Sequence, residues 1–334
     1  MTNYHLVDQN ITSHAKANRL AEPVVVLGGG GFIGSRLVER LVRDGYRTVA
    51  VDIAWPAERD GYLEGADRWT LDLTDVTAAS SAVHGAGTVF HLAADMGGVG
   101  WFHSDRDWQS SLTNGRITTN VLEQATRHEV QRLVYASSAC AAATEPQSNP
   151  STPYQITEDD LTWGTPDALY GADKRHGAWL CSHAPFDARV GVFHTIYGPG
   201  QEHAGPRMKF PTAVATKALA SRESGRLELW GDGTQMRSYL FIDDAIDRIM
   251  QLATASESPG PVNIGAEGAI SCQDIAQMCL LIVGSNADIV HVDGPTGVAA
   301  RDADLTKWRA IFGPPHQTSY WDGFSELISW LEAL

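Results

Sequence analysis

An α/β fold built on a doubly wound parallel sheet is what this sequence predicts, and three observations predict it. Short β-branched runs alternate with stretches that repeat apolar residues at helical spacing. Four glycines, Gly28-Gly29-Gly30-Gly31, stand between the first such run and the first such helix. Further runs then recur in step, strand after helix, through the first half of the chain. Strands that alternate with helices pair in parallel, because each crossover returns the chain to the same end of the sheet.

The elements follow in order. A polar leader covers 1–22. Val24–Leu27 is the first strand, and Phe32–Arg43 carries Ile33, Leu37, Val38 and Leu41 on one helical face. Strands are expected at 48–53, 68–71 and 88–93, with a helix at 76–84. Ile117, Val121 and Ala125 share a face of the next helix, before a buried strand at 132–137. After Val190 the regularity weakens. Gly198-Pro199-Gly200, Gly231-Asp232-Gly233 and Gly294-Pro295 punctuate shorter elements. A helix at 243–253 and a strand at 262–264 return to the first sheet.

Composition narrows the class. The 334 residues are 43% hydrophobic and 19% charged, the balance of a folded chain. Every apolar run is cut short of the ~20 residues that cross a bilayer, and the leader lacks the apolar core of a secretory signal. No membrane association is expected, and the cytoplasm is the expected location. With 25 basic against 40 acidic residues the net charge is −15, which disfavours nucleic acid as a partner. Six basic residues nevertheless gather in a short stretch: Arg207, Lys209, Lys217, Arg222, Arg226 and Arg237. They are either a solvated surface or a pocket for a small anion. The cysteines, Cys140, Cys181, Cys272 and Cys279, form no CxxC pair and are expected to be reduced thiols. Histidine spacing gives no metal site.

The glycine loop carries the first chemistry. Gly28-x-x-Gly31-x-x-Gly34 joins strand to helix, where glycines allow a tight turn and bring backbone N–H groups to a pyrophosphate. Asp52, at the end of the second strand, can bind both hydroxyls of an adenosine ribose and repel a 2′-phosphate. The cofactor is therefore NAD rather than NADP, on a Rossmann-type domain. Asp72 either reaches the adenine edge or is a plain strand-end carboxylate. That domain is expected over 23–190 and 236–265, with a smaller α/β substrate domain over 191–235 and 266–334.

The Gly-x-x-Gly-x-x-Gly spacing, Leu92-Ala93-Ala94, the Tyr170-x-x-x-Lys174 pair and Ser138 together resemble the extended short-chain dehydrogenase/reductase superfamily. Positions i and i+4 share a helix face, so Lys174 can sit beside Tyr170 and reach the nicotinamide ribose. A phenol titrates near pH ~10, and an adjacent ammonium and a positive nicotinamide would bring it down. Ser138 would hold the substrate hydroxyl. The resemblance implies cofactor contacts at Gly28, Gly31, Phe32, Ile33, Gly34, Asp52, Asp72, Leu73, Leu92, Ala93, Ala94, Tyr170 and Lys174.

More specific stretches resemble GDP-mannose 3,5-epimerases. They are Asp95-Met96-Gly97-Gly98, Ser137-Ser138-Ala139-Cys140, Phe193-His194-Thr195-Ile196-Tyr197-Gly198-Pro199, Gly231-Asp232-Gly233-Thr234-Gln235-Met236-Arg237-Ser238, Pro261-Val262-Asn263-Ile264-Gly265 and Gly294-Pro295-Thr296-Gly297-Val298. The resemblance implies Cys140 and Lys209 as an acid/base pair and Gly98 against the sugar. It places Lys217, Arg237 and Arg301 around the guanosine diphosphate, with Ser138, Cys140 and Lys209 also touching substrate. NAD would oxidise sugar carbon 4, proton exchange would follow at carbons 3 and 5, and reduction would close the cycle. A homodimer formed by the helices around 117–127 and 168–183 is expected on the same ground.

The sequence departs from that family at three places. Ala141-Ala142-Ala143 replaces Ile-Tyr-Pro, Thr195 replaces an asparagine, and Ala299 replaces an arginine. The carbon epimerised therefore stays open, with the 5-epimer GDP-L-gulose as one product. A UDP-sugar 4-epimerase, or a related nucleotide-sugar short-chain dehydrogenase, is the competing enzyme, and it needs neither Cys140 nor Lys209. A non-catalytic NAD-sensing protein is the competing class.

Overall fold

The computed structural model describes residues 19–102 and 104–334. The polar leader lies outside the described residues up to position 18. Its last four residues are packed rather than loose: Leu20 is buried, and the Arg19 guanidinium sits 4.5 Å from the Tyr46 ring centre.

The strands are β1 (Val24–Leu27), β2 (Thr48–Asp52), β3 (Asp67–Thr70), β4 (Thr88–His91), β5 (Arg132–Ser138), β6 (Gln155–Ile156), β7 (Asp187–Phe193), β8 (Thr195–Tyr197), β9 (Arg226–Trp230), β10 (Met236–Arg237), β11 (Tyr239–Phe241), β12 (Pro261–Ile264), β13 (Ile270–Ser271), β14 (Asp288–Val292) and β15 (Ala300–Ala303). Seven of them form one parallel sheet in the order β12-β7-β5-β4-β1-β2-β3. The order reverses between β1 and β4, and the crevice beyond their carboxyl ends is where this architecture binds ligands. β1 and β4 are buried along their whole length, as expected for strands covered on both faces. β3 is the edge strand and is exposed throughout.

Helices α1 (Phe32–Arg43), α2 (Val76–Val83), α3 (Arg106–Arg127), α4 (Ala168–Ser182), α5 (Phe210–Ser224), α6 (Ile242–Thr254), α7 (Cys272–Val283), α8 (Thr306–Phe312) and α9 (Tyr320–Glu332) cover the sheet and build the second layer. α1 buries Leu37, Val38 and Leu41, the stripe its periodicity marks. The return of 261–264 to the first sheet is observed as β12, beside β7. The C-terminal elements form a four-stranded sheet, β13-β10-β15-β6, and two short parallel pairs. Its strand β6 comes from within the first half of the chain. An aromatic cluster fills this side: Tyr197 stacks on Phe324 and meets Tyr239 and Phe241 edge-on.

Most boundaries shift by one or two residues, and three have a clear local reason. β2 stops at Asp52 because Ile53 turns away, its N–H donating to Asp52 Oδ1 at 2.7 Å. β4 ends at His91, since only Leu92 N still reaches the Leu27 carbonyl before the chain crosses Gly28. α3 starts eleven residues ahead of Ile117, its first turns being too polar to betray a face.

α4 approaches the sheet closely. A side chain at Gly177 would place its first carbon 2.2 Å from the buried Tyr135 hydroxyl. Gly177→Ala should therefore lower stability by about 1–3 kcal/mol. Urea denaturation checks this, as a fall in midpoint with the slope unchanged.

Candidate active site

The glycine loop is shaped as a close-approach turn. Gly28 has φ +84°, and a first side-chain carbon there would lie 2.7 Å from Ala93 N. At Gly34 it would lie 1.9 Å from the Gly28 carbonyl oxygen. The loop opens α1, whose first turn carries no acidic residue, so its free N–H groups and positive end suit a pyrophosphate. Asp52 is tied to the same loop, accepting from Gly30 N at 2.9 Å. Asp72 accepts from Thr74 N and Thr74 Oγ1 at 2.9 and 2.7 Å in a turn, and Leu73 behind it is buried. Phe32 and Ile33 are half-buried on α1, and Leu92, Ala93 and Ala94 are half-buried beyond β4. These residues fit NAD.

β5 ends at Ser138, and a single 3₁₀ turn then presents Cys140, whose N–H donates to Ser138 Oγ at 3.1 Å. Tyr170, on α4, is hydrogen-bonded to Ser138. Lys174, one turn on, donates to the Ala136 carbonyl at 2.8 Å, and its Nζ stands 5.7 Å from the Tyr170 ring centre. Burial pushes the Tyr170 hydroxyl well up, and neighbouring Cys140 adds to this while Ser138 opposes it. The expected lowering of the phenol is not what the protein alone shows: burial raises it, and the group opposing that rise is Ser138 rather than Lys174. Burial pulls Lys174 down to about 8, against Asp173 and Cys181 and with help from Lys209.

Lys209 is the residue before α5 and is half-buried, its ammonium pulled down by burial and supported by Cys140. Cys140 and Lys209 come from segments far apart in sequence and face one another electrostatically. Gly98 lies behind Lys209: a side chain there would meet the Met208 carbonyl oxygen at 2.6 Å.

The basic stretch separates into individual roles. Arg222 pairs with Glu332 at 2.6 Å and Arg226 with Glu228 at 2.5 Å, both on the surface. Arg207 pairs with Asp95 at 2.7 Å. Lys217 donates to the Glu228 carbonyl at 3.0 Å and stands 5.7 Å from the Trp230 ring centre. Arg237 donates to the Val298 carbonyl at 2.5 Å and lies within the field of Arg301.

Arg301 is closer to the chemistry than its match to a nucleotide contact suggests. Its Nη1 lies 3.2 Å from Cys140 Sγ, its Nη2 2.8 Å from Asp167 and its Nε 2.7 Å from Gln147. Sequence reasoning missed Gln147, fully buried in a short turn, and Asp167, three residues ahead of Tyr170. It also missed His91, buried beneath the Tyr135 ring at 5.4 Å and pulled down to about 3 by burial and then by Lys174. Arg59 was missed as well. It is buried and joins the Gly30 carbonyl of the cofactor loop to the Gly200 carbonyl, each at 3.0 Å. Nothing local in sequence marks these four, because each contact spans the fold.

Of the three departures, Ala141, Ala142 and Ala143 are fully buried, Thr195 is half-buried on β8, and Ala299 N donates to the Gln147 carbonyl at 3.0 Å. Among the described residues no group of three or more His, Cys, Asp or Glu side chains could hold a metal ion.

A parallel sheet with a glycine loop shaped for NAD at its switch point, and Ser138, Tyr170 and Lys174 grouped beside it, fits an NAD-dependent enzyme. Residues 24–265 match the NAD dependent epimerase/dehydratase family, and the chain belongs to it. The chain is 34% identical to GDP-mannose 3,5-epimerase 1 of Oryza sativa subsp. japonica, covering 92% of this chain and 81% of the relative. It is also 34% identical to GDP-mannose 3,5-epimerase of Arabidopsis thaliana, covering 84% and 74%. A UDP-glucose 4-epimerase from Thermotoga maritima, solved with UDP-glucose, shares the fold with a TM-score of 0.81 at 20% identity, over 93% of this chain and 98% of that one. The protein is an NAD-dependent epimerase.

Lys174 gives this site a pH signature. Its folded value of about 8 lies below the unfolded 10.5, so between them the unfolded chain holds the extra proton. Its contribution to stability should therefore rise with pH across 8–10.5, the penalty being fully present below that window. Urea unfolding across the window, compared with Lys174→Met, should show the steeper upward slope in the unmodified protein.

Proposed function

We propose that the protein converts GDP-D-mannose to GDP-L-galactose, GDP-L-gulose or both. The single observation that carries this reading is the position of Cys140 and Lys209. They add two proton-transfer groups to the Ser138-Tyr170-Lys174 set. The rice and Arabidopsis relatives at 34% identity bear the matching name.

NAD, when bound, accepts a hydride from sugar carbon 4 and later returns it. Ser138 holds the 4-hydroxyl, Tyr170 takes its proton and Lys174 supplies the compensating charge. The ketone at carbon 4 acidifies the neighbouring C–H bonds at carbons 3 and 5. Cys140 then removes a proton from one face and Lys209 returns one from the other, which inverts the carbon. Burial strips water from the Lys209 ammonium, so that group has little hydration to shed before transfer. Arg301 holds the Cys140 sulfur in place, while Arg237 and Lys217 take the diphosphate. Gly98 packs against the sugar, and Asp72 with Leu73 flanks the adenine. We take 23–190 and 236–265 as the NAD domain and 191–235 with 266–334 as the substrate domain, although β7 runs on to Phe193 in the main sheet and β6 and β10 join the second sheet.

A homodimer is part of the same proposal. α3 and α4 lie side by side and leave Trp108, Leu112, Leu169 and Trp179 exposed, the two tryptophans at 63% and 59%. A second copy would cover that apolar surface. Four unpaired cysteines suit a reducing compartment, the cytoplasm. If the dimer forms here, Trp179→Glu should yield a monomer in sedimentation at micromolar concentration; a dimer of unchanged strength rejects this surface.

The two chemical stages separate the residues. In deuterated water, Tyr170→Phe should abolish both deuterium uptake and epimer formation, because without the ketone no ring hydrogen is acidic. Cys140→Ala should lose epimer by about a hundredfold or more while still producing NADH absorbance. Lys209→Ala should lose product but keep exchange by Cys140. Proton NMR of GDP-mannose reads all three. Turnover that leaves every ring C–H unlabelled would instead indicate a 4-epimerase.

A further inference from the structure

We infer that Arg207 is a positioning residue for Lys209: it clasps the segment leading into α5 onto the loop after β4. The inference rests on the proton-transfer reading of Lys209 and Cys140. Arg207 stands two residues before Lys209, and its side chain reaches back across the site. Nη2 is 2.7 Å from Asp95 Oδ1, Nη1 donates to the Met96 carbonyl at 2.8 Å, and the guanidinium lies 4.2 Å from the Trp101 ring centre. One side chain thus grips a carboxylate, a carbonyl and an indole on a single loop.

The gripped side is itself anchored. Asp95 N donates to Asn114 Oδ1 at 2.7 Å, Asn114 Nδ2 donates to the Asp95 carbonyl at 3.0 Å, and Ser110 Oγ donates to Asp95 Oδ2 at 2.7 Å. Trp101 is buried and donates from Nε1 to Ser110 Oγ at 3.0 Å. Asn114 and Ser110 lie on α3, so the loop is tied to a long helix.

The gripping side has little else to hold it. Residues 204–207 are exposed and carry no large apolar side chain into the core. Where the two segments touch, Gly98 presses on the Met208 backbone with no room for a side chain. Arg207 therefore supplies the attraction that keeps this contact closed, and Lys209 is the next residue but one. A misplacement of about 1 Å in a reacting group costs on the order of a hundredfold in rate. An arginine fork also fits the task, because it satisfies carboxylate and carbonyl together while stacking on an aromatic ring.

The test uses the full chain with bound NAD, GDP-mannose and deuterated water. Arg207→Ala should cut epimer formation about tenfold to a hundredfold, while NADH absorbance on mixing stays within about twofold. Arg207→Lys should recover part of the loss, keeping the charge but not the fork. Asp95→Asn should fall in the same direction, and adding it to Arg207→Ala should cost nothing more. Backbone hydrogen exchange supplies a readout that needs no substrate: Trp101, Met208 and Ala213 amides should exchange faster together in Arg207→Ala. Epimer formation at the unmodified rate, or equal loss of NADH and product alongside a lowered melting temperature, overturns the inference. If the unmodified protein makes no epimer, the proton-transfer reading fails instead. Hydrogen exchange then decides the clasp alone, with unchanged exchange rejecting it.

Discussion

Everything at this site depends on how closely α4 lies against the end of β5. The Cys140 carbonyl oxygen accepts a hydrogen bond from Asp167 N at 2.8 Å, and a first side-chain carbon at position 171 would fall 2.2 Å from that same oxygen. A glycine directly after Tyr170 is what lets the helix descend onto the strand end. Ala168, at φ +58°, turns the chain sharply into the helix in a region that non-glycine residues seldom occupy. Strain accepted there, together with two absent side chains at 171 and 177, brings Tyr170 to Ser138 and Lys174 to the Ala136 carbonyl. Without that approach the triad residues would be present in the chain but not at the reaction.

The second constraint is electrostatic. The chain carries a formal charge of −15, yet its site gathers Lys174, Lys209, Arg237 and Arg301, with Asp167 and Asp173 as carboxylate partners. Burial depresses both lysine ammoniums, so the fold holds them against their preference for water. Charged groups in a dry site act strongly on charge that develops beside them, because no water must reorganise first. An anionic nucleotide sugar brings the charge that these residues lack. The acidic surface is then not at odds with an anionic substrate: the attraction is local, and the remaining surface keeps other polyanions away.

Much of this was legible because the relevant residues sit close together in sequence. The glycine loop, Asp52, the i,i+4 pair and the Ser-x-Cys turn are each contained in one element or its edge. Strand and helix order followed from periodicity, and even the late return of β12 to the sheet showed in its apolar run. What stayed hidden was contact across distance. Arg301 reads as a diphosphate contact until β15 carries it to Cys140, and Gln147 has no sequence signal at all. The basic stretch left surface and pocket both open, and Arg222 and Arg226 take the first, turning outward to carboxylates that no local pattern connects to them.

The division of labour follows from where each group is mounted. Ser138, Cys140, Tyr170 and Lys174 all stand on β5, its following turn and α4, parts of the main sheet and its cover. On the proposed reading that half of the site serves oxidation at one carbon; the fold itself is shared with a UDP-glucose 4-epimerase. Inverting a neighbouring carbon needs one thing more, a proton donor on the opposite face of the sugar. A parallel sheet cannot offer it, because all its strand ends point to one side of the crevice. On the proposed reading the second group arrives from another part of the chain, as Lys209, the residue before α5. Its lead-in has no sheet beneath it, so its position must be fixed by side-chain contacts rather than by backbone ladders. Arg301 comes from the same side and reaches Cys140, so on the proposed reading the acid/base pair is assembled only where the second layer meets the first. Epimerisation on this fold is thus a matter of what the second layer can hold steady over the first.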